Sequence, residues 1–184
     1  MVSIEDLIDK NKNCLERMNT PNLEDEPKRK VLIFEKNLAH KDYLIKIKDC
    51  PLATKENRGW HALSVGSVIT AGYPNVELYT MHNQSEWSPV IDWCMENDIR
   101  VISMSIATHY TEEREEALKK YVKWGGFVSC ASGNWEGKDV SFPADSLYTI
   151  GVSATNSEDS NGIEVDITHD SYWKAKRYQR DSCA

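Results

Sequence analysis

No stretch of the 184-residue sequence approaches the roughly 20 consecutive apolar residues that a membrane span requires, and no two of its five cysteines stand at C-x-x-C spacing. The first absence points away from a membrane. The second argues against a zinc site or a disulfide frame, so Cys14, Cys50, Cys94, Cys130 and Cys183 read as reduced, partly buried thiols. Basic residues are too few to dominate: 22 Lys and Arg against 29 Asp and Glu give a net charge of −7, the wrong sign for a surface that displaces counterions from nucleic acid. The opening "MVSIEDLIDK" is acidic where a secretory signal needs positive charge, so a cytoplasmic location is expected. No strand leads into G-x-G-x-x-G or a Gly-Lys-Ser/Thr loop. The histidines at 40, 61, 82, 109 and 169 form no H-E-x-x-H, and no carboxylate ladder has calcium-loop spacing. Neither cofactor nor metal is expected. There is no internal repeat and no low-complexity segment.

What is present is a globular composition, 40% hydrophobic and 28% charged, at a length that suits one domain. Ser3 and Asp6 resemble a capping box, and Ile4, Leu7, Ile8, Leu15 and Met18 keep near-helical spacing, so residues 1–29 read as an amphipathic helix with a polar connector. From residue 30 short apolar runs alternate with helical segments: "VLIF", "HALSVGSVI", "VELYTM", "SPVIDWCMEN", "VISMSI", "TEEREEALKKYVKW", "FVSCA" and "YTIGVSA". That alternation predicts an α/β fold of three layers, a mostly parallel sheet with helices on both faces. Ser88-Pro89 supplies a cap and a first-turn proline, Thr111 caps the next helix, and Gly125-Gly126 ends it. "HALSVGSVI" is apolar all round and threaded with small residues, which predicts a closely packed buried helix. "GIEVDI" alternates like one further strand. The acidic runs "NLEDEP", "TEEREE" and "NSEDSNGIEVD" read as solvated faces.

With metals and phosphate cradles set aside, the chemistry left is a nucleophile, a base and an orienting carboxylate dispersed along the chain and gathered by the fold. "VIDWCMENDI", "RVISMSI", "GGFVSCASGN" and "FPADSLYTIGVSATN", in this order and spacing, resemble the middle of subtilisin-like serine peptidases. The resemblance runs over about residues 30–156, most specifically 91–155. It implies that Asn134, ending "ASGN", is the amide that stabilises the oxyanion of a tetrahedral intermediate. It puts Glu35, closing "VLIFE", at the family's aspartate, with "HKDYL" similar to the usual continuation. His61, heading "HALSVGS", takes the place of the family's histidine; a rival register puts Arg58 there. Ser182 in "RDSCA" aligns with the nucleophile. The resemblance further implies groove walls at Ile106, Ala107 and Thr108 and at Cys130, Ala131, Ser132 and Gly133. The segment after the histidine helix, residues 70–75, is too short for the family's calcium-binding insertion, so no calcium is expected there, nor is a folding prosegment expected before Val31.

The chain departs from the family in places that matter for turnover. Glutamate replaces aspartate, and a displacement of about 1 Å can cost on the order of 100-fold in rate. Arg180 and Asp181 stand where Gly and Thr are usual, and residues 30–184 are expected to form a C-terminally truncated domain lacking the usual helix after the serine. Two readings follow. One is a serine endopeptidase with a Glu/His/Ser triad and impaired activity, acting on a peptide or protein substrate. The other is a catalytically inactive pseudopeptidase that binds or inhibits a protein partner. A missing terminal helix would leave one sheet face bare, to be covered by the N-terminal helix or by another chain in an oligomer.

Overall fold

A computed structural model describes residues 4–17, 23, 25–39, 47–54, 57–133 and 140–152. Its core is a six-stranded sheet in the order β3-β5-β1-β6-β7-β8, formed by β1 (Arg29–Glu35), β3 (Ile47–Asp49), β5 (Val76–His82), β6 (Val101–Met104), β7 (Phe127–Ala131) and β8 (Ile150–Val152). Every pairing is parallel. A separate parallel pair joins β2 (Leu38–Ala39) to β4 (Arg58–Gly59). β1 is buried over five consecutive residues, Val31 to Glu35, as a strand covered on both faces must be. Its side chains divide by alternation: Leu32 and Phe34 enter one core cluster, Val31 and Ile33 the other.

Helix α2 (His61–Gly72) covers the Val31/Ile33 face. Its small residues permit the close approach expected of "HALSVGSVI". A Cβ on Gly66 would lie 2.8 Å from Ile47 Cδ1 and 3.2 Å from Leu78 Cδ1, so glycine lets the helix sit low on the sheet without displacing those side chains. Helix α1 (Ile4–Arg17) packs against α2, with Leu7 and Ile8 joining the same core and Asn11 Nδ2 donating to Ser67 Oγ at 3.0 Å. Helices α3 (Ser88–Glu96) and α4 (Glu112–Trp124) cover the opposite face, with Val90, Ile91, Cys94, Ala117, Leu118 and Tyr121 in the larger cluster. Three layers result.

Two local expectations are corrected. Ser88 is the first residue of α3 rather than its cap; Trp87 holds that position without a side-chain cap bond. The orphan donors are met instead by Glu113 of α4, whose Oε1 accepts from Trp87 N at 2.9 Å, Ser88 N at 2.7 Å and Ser88 Oγ at 2.7 Å. The run "TEEREE" is not uniformly solvated either, because Arg114 is 8% exposed. Thr111 caps α4 as expected, accepting from Arg114 N at 3.3 Å, and Gly125 ends the helix in a left-handed conformation. The expectation that the N-terminal helix covers a bare sheet face also fails, since α1 lies on α2. Among the described residues the α2 side of β7 and β8 is left open, with Phe127, Ile150 and Val152 at 46%, 52% and 51% exposure. "GIEVDI" lies outside the described residues.

Candidate active site

In a parallel sheet wound in both directions from one strand, the strand ends part where the winding reverses and leave a crevice at their carboxyl edge. Here that strand is β1, flanked by β5 and β6. Glu35 is its last residue, opposite His82 of β5, and the Glu35 carbonyl accepts from Asn83 N at 2.6 Å. The carboxylate is therefore fixed by the centre of the sheet.

His61 is brought to it by the small β2/β4 pair. Arg58 of β4 forks onto Asp49, Nη1 to Oδ1 at 3.1 Å and Nη2 to Oδ2 at 2.5 Å, and also donates from Nη1 to the Ala39 carbonyl at 2.8 Å. This clamp joins β4, β2 and β3, and three residues after Arg58 α2 begins with His61. His61 Nδ1 stands 3.0 Å from Glu35 Oε2. The carboxylate is 3% exposed and the imidazole 68%, so a buried acid holds one edge of a ring whose other edge faces out. The hydrogen bond to Glu35 raises the His61 pKa above its ordinary 6.5, partial burial opposes the rise, and the carboxylate charge adds to it. Glu35 Oε1 is buried with no hydrogen-bond partner among the described residues.

The two segments expected as groove walls leave the sheet side by side. β6 and β7 stay paired to Met104 and Cys130, and then the chains separate. On one side follow Ile106, buried, and the half-buried Ala107 and Thr108; the Thr108 amide donates to the Phe142 carbonyl at 2.9 Å. On the other, Ser132 N donates to Val152 O at 2.9 Å, and Gly133 turns the chain at φ 101°, a conformation suited to glycine. The Cys130 side chain points into the larger core, where burial pushes its pKa up to about 12, so it can contribute to a wall only through its backbone.

Of the four residues expected to do chemistry, the structure brings Glu35 and His61 together. Asn134 and Ser182 lie outside the described residues, as does "HKDYL". Arg58, the rival for the histidine position, is occupied with Asp49 and Ala39. Sequence reasoning passed over the polar group behind the first wall: Asn83, Trp87 and Arg114. Asn83 Nδ2 reaches Thr108 Oγ1 at 3.4 Å, and Trp87 Nε1 donates to Asn83 Oδ1 at 3.2 Å. The available signal was an arginine in the first turn of a helix, where a cation opposes the helix dipole and needs a local reason to be there.

The Subtilase family matches residues 35–177, and the chain belongs to that family. Its fold is that of subtilisin-like peptidases. Prenylagaramide maturation protease PagA superposes with a TM-score of 0.58 at 16% identity, over 80% of this chain and 59% of that one. The PatG macrocyclase, solved in complex with peptide, gives 0.56 at 14% identity, over 82% and 64%. The psychrophilic subtilisin-like protease Apa1 from the Antarctic psychrotroph Pseudoalteromonas sp. AS-11 gives 0.53 at 17% identity, over 71% and 37%. The chain thus spans less than two thirds of the length of each of these structures. A search of curated protein sequences finds no match.

Proposed function

We propose that this chain carries the acid–base half of a serine endopeptidase site and binds an extended peptide in the crevice at the carboxyl ends of β1, β6 and β7. The observation that carries the reading is the Glu35–His61 contact at 3.0 Å, made by a buried carboxylate to an exposed ring. With Glu35 accepting from Nδ1–H, the imidazole is held in the tautomer whose Nε2 lone pair is free, which is the form a general base requires.

In the complete cycle Ser182 Oγ would attack the peptide carbonyl while His61 Nε2 takes its proton, and the Asn134 amide would donate to the oxyanion. His61 would then return the proton to the leaving amine, and water would release the acyl group by the same route in reverse. Ser182 and Asn134 enter on the family resemblance of "RDSCA" and "ASGN". The expected partner is a peptide or protein, and the expected location is cytoplasmic. Neither nucleic acid nor membrane is expected as a partner. Among the described residues no helix is long and apolar enough to cross a membrane.

A second reading, a pseudopeptidase that only binds, is favoured by Arg180 and Asp181 in place of Gly and Thr before the serine. A carboxylate there opposes formation of an oxyanion. A fluorophosphonate probe separates the two. The enzyme reading expects covalent labelling that Ser182→Ala and His61→Ala each abolish; a folded wild-type protein that takes no label leaves only the binding reading.

A further inference from the structure

Arg114 is a buried guanidinium in an expensive place. It stands in the first turn of α4, at the positive end of the helix, at 8% exposure, and no ion pair to a carboxylate is seen among the described residues. Its neighbours explain what holds it there. Nη1 donates to Thr108 Oγ1 at 2.7 Å and to the His109 carbonyl at 2.8 Å, Nη2 donates to the Gln84 carbonyl at 3.0 Å, and the guanidinium lies 5.1 Å from the centre of the Trp87 ring. The first two acceptors belong to the segment that leaves β6 as the first groove wall. The third belongs to the segment that leaves β5 just after His82.

These contacts continue to the catalytic carboxylate's own strand. Gln84 follows Asn83, whose backbone amide donates to the Glu35 carbonyl and whose side chain meets the same Thr108 hydroxyl. Trp87 packs edge-on against Phe34, the residue before Glu35, at 5.3 Å between ring centres. One side chain therefore spans the wall, the β5 exit and, through Asn83 and Trp87, the end of β1. Three directed bonds from a planar fork hold position better than a single flexible ammonium can.

We propose that Arg114 is a positioning residue. It fixes Ile106, Ala107 and Thr108 at a set distance from Glu35 and His61, so that a peptide paired to the wall is held in register with the acid–base pair. It touches neither peptide nor reacting atoms. Since the Thr108 amide is bonded to Phe142, pairing with a peptide falls to Ile106 and Ala107, and their placement depends on the anchor at Thr108. The inference rests on the groove reading above.

The test uses fluorescein-labelled hexaalanine as the probe, followed by anisotropy in a Ser182→Ala background, together with amide exchange over residues 106–109. Arg114→Ala is expected to weaken peptide binding about tenfold and to accelerate exchange in the wall while β1 exchanges as before. Arg114→Lys restores part of the affinity, and Thr108→Val costs little more once Arg114 is gone. A wild type that binds hexaalanine with the same affinity as Arg114→Ala overturns the inference and leaves the groove standing. A wild type that binds no hexaalanine removes the groove reading and the inference with it. Should Arg114→Ala fail to fold, Arg114→Lys and Thr108→Val decide the matter by the same comparison.

Discussion

At the scale of single residues, the glutamate that the proposed site sets at the family's aspartate is the informative feature. Strand β1 fixes the backbone of Glu35, and the side chain reaches His61 Nδ1 at hydrogen-bond distance. Substituting the shorter aspartate would withdraw the carboxylate by about one bond length, enough to cost on the order of 100-fold where geometry is this tight. Glu35→Asp is therefore expected to damage the pair rather than repair it. His61 provides the readout. Its pKa is raised in the folded chain, so the protonated pair contributes stability that is fully present below the unfolded value and is lost as pH rises through the folded one. A general base must be neutral, so probe labelling should rise with pH over the same interval. An NMR titration of the His61 ring should give a midpoint above 6.5 in the wild type and shift toward 6.5 in Glu35→Gln and Glu35→Asp. A wild-type midpoint at or below 6.5 would contradict the pairing.

Residue-level chemistry was only partly legible in the sequence. The family resemblance of "VLIFE" placed Glu35 at a strand end, and the four apolar residues before the glutamate agree with a buried strand that stops there. The resemblance favoured His61 over the rival Arg58, but the distance from either to Glu35 depends on how β2 and β4 pair, which an alignment does not contain. Arg114 was hidden for a related reason. In "TEEREE" it looks like one charge among many, and only the tertiary approach of α4 to Thr108 and Gln84 distinguishes it from its neighbours.

At the scale of elements, helices α3 and α4 share a device that no sequence window contains. Pro89 favours the start of α3, yet the donors of that first turn are satisfied from outside by Glu113. Glu113→Ala leaves three donors to find water at a half-buried site and is expected to destabilise the fold by about 1–3 kcal/mol. Urea denaturation measures it. A loss below about 0.5 kcal/mol, the scatter of ordinary surface substitutions, would mean that water replaces the carboxylate without cost. The periodicities of "VELYTM", "VISMSI" and "FVSCA" were readable because each run is short, apolar and bounded by polar turns. Their order across the sheet was not, because alternation fixes the facing of a side chain and says nothing about which strand lies next to it.

At the scale of the whole molecule, the two faces of the sheet differ. One is closed by α3 and α4 along β1, β6 and β7. The other is closed by α2 over β1 and β5, and among the described residues it stays open over β7 and β8, where Phe127 is the largest apolar group. Apolar area left in water favours association. Sedimentation of the wild type is expected to depend on concentration, and Phe127→Glu to reduce that dependence while changing stability by no more than about 0.5 kcal/mol. Concentration-independent sedimentation of the wild type would show that the face is covered within the chain.

The central place of β1 also sets the order in which the site comes apart. The edge strands β3 and β8 are three residues each, and opening in proteins begins at such margins and spreads inward. Glu35 is held by a strand with a neighbour on either side, so its backbone is released only when most of the sheet is. His61 sits on the exposed first turn of a helix, secured by a two-residue strand pair and the Arg58 clamp. The two halves of the contact thus belong to units of unequal persistence: fluctuations that stop short of unfolding would move the ring away from the acid and return it, with the carboxylate staying where β1 holds it.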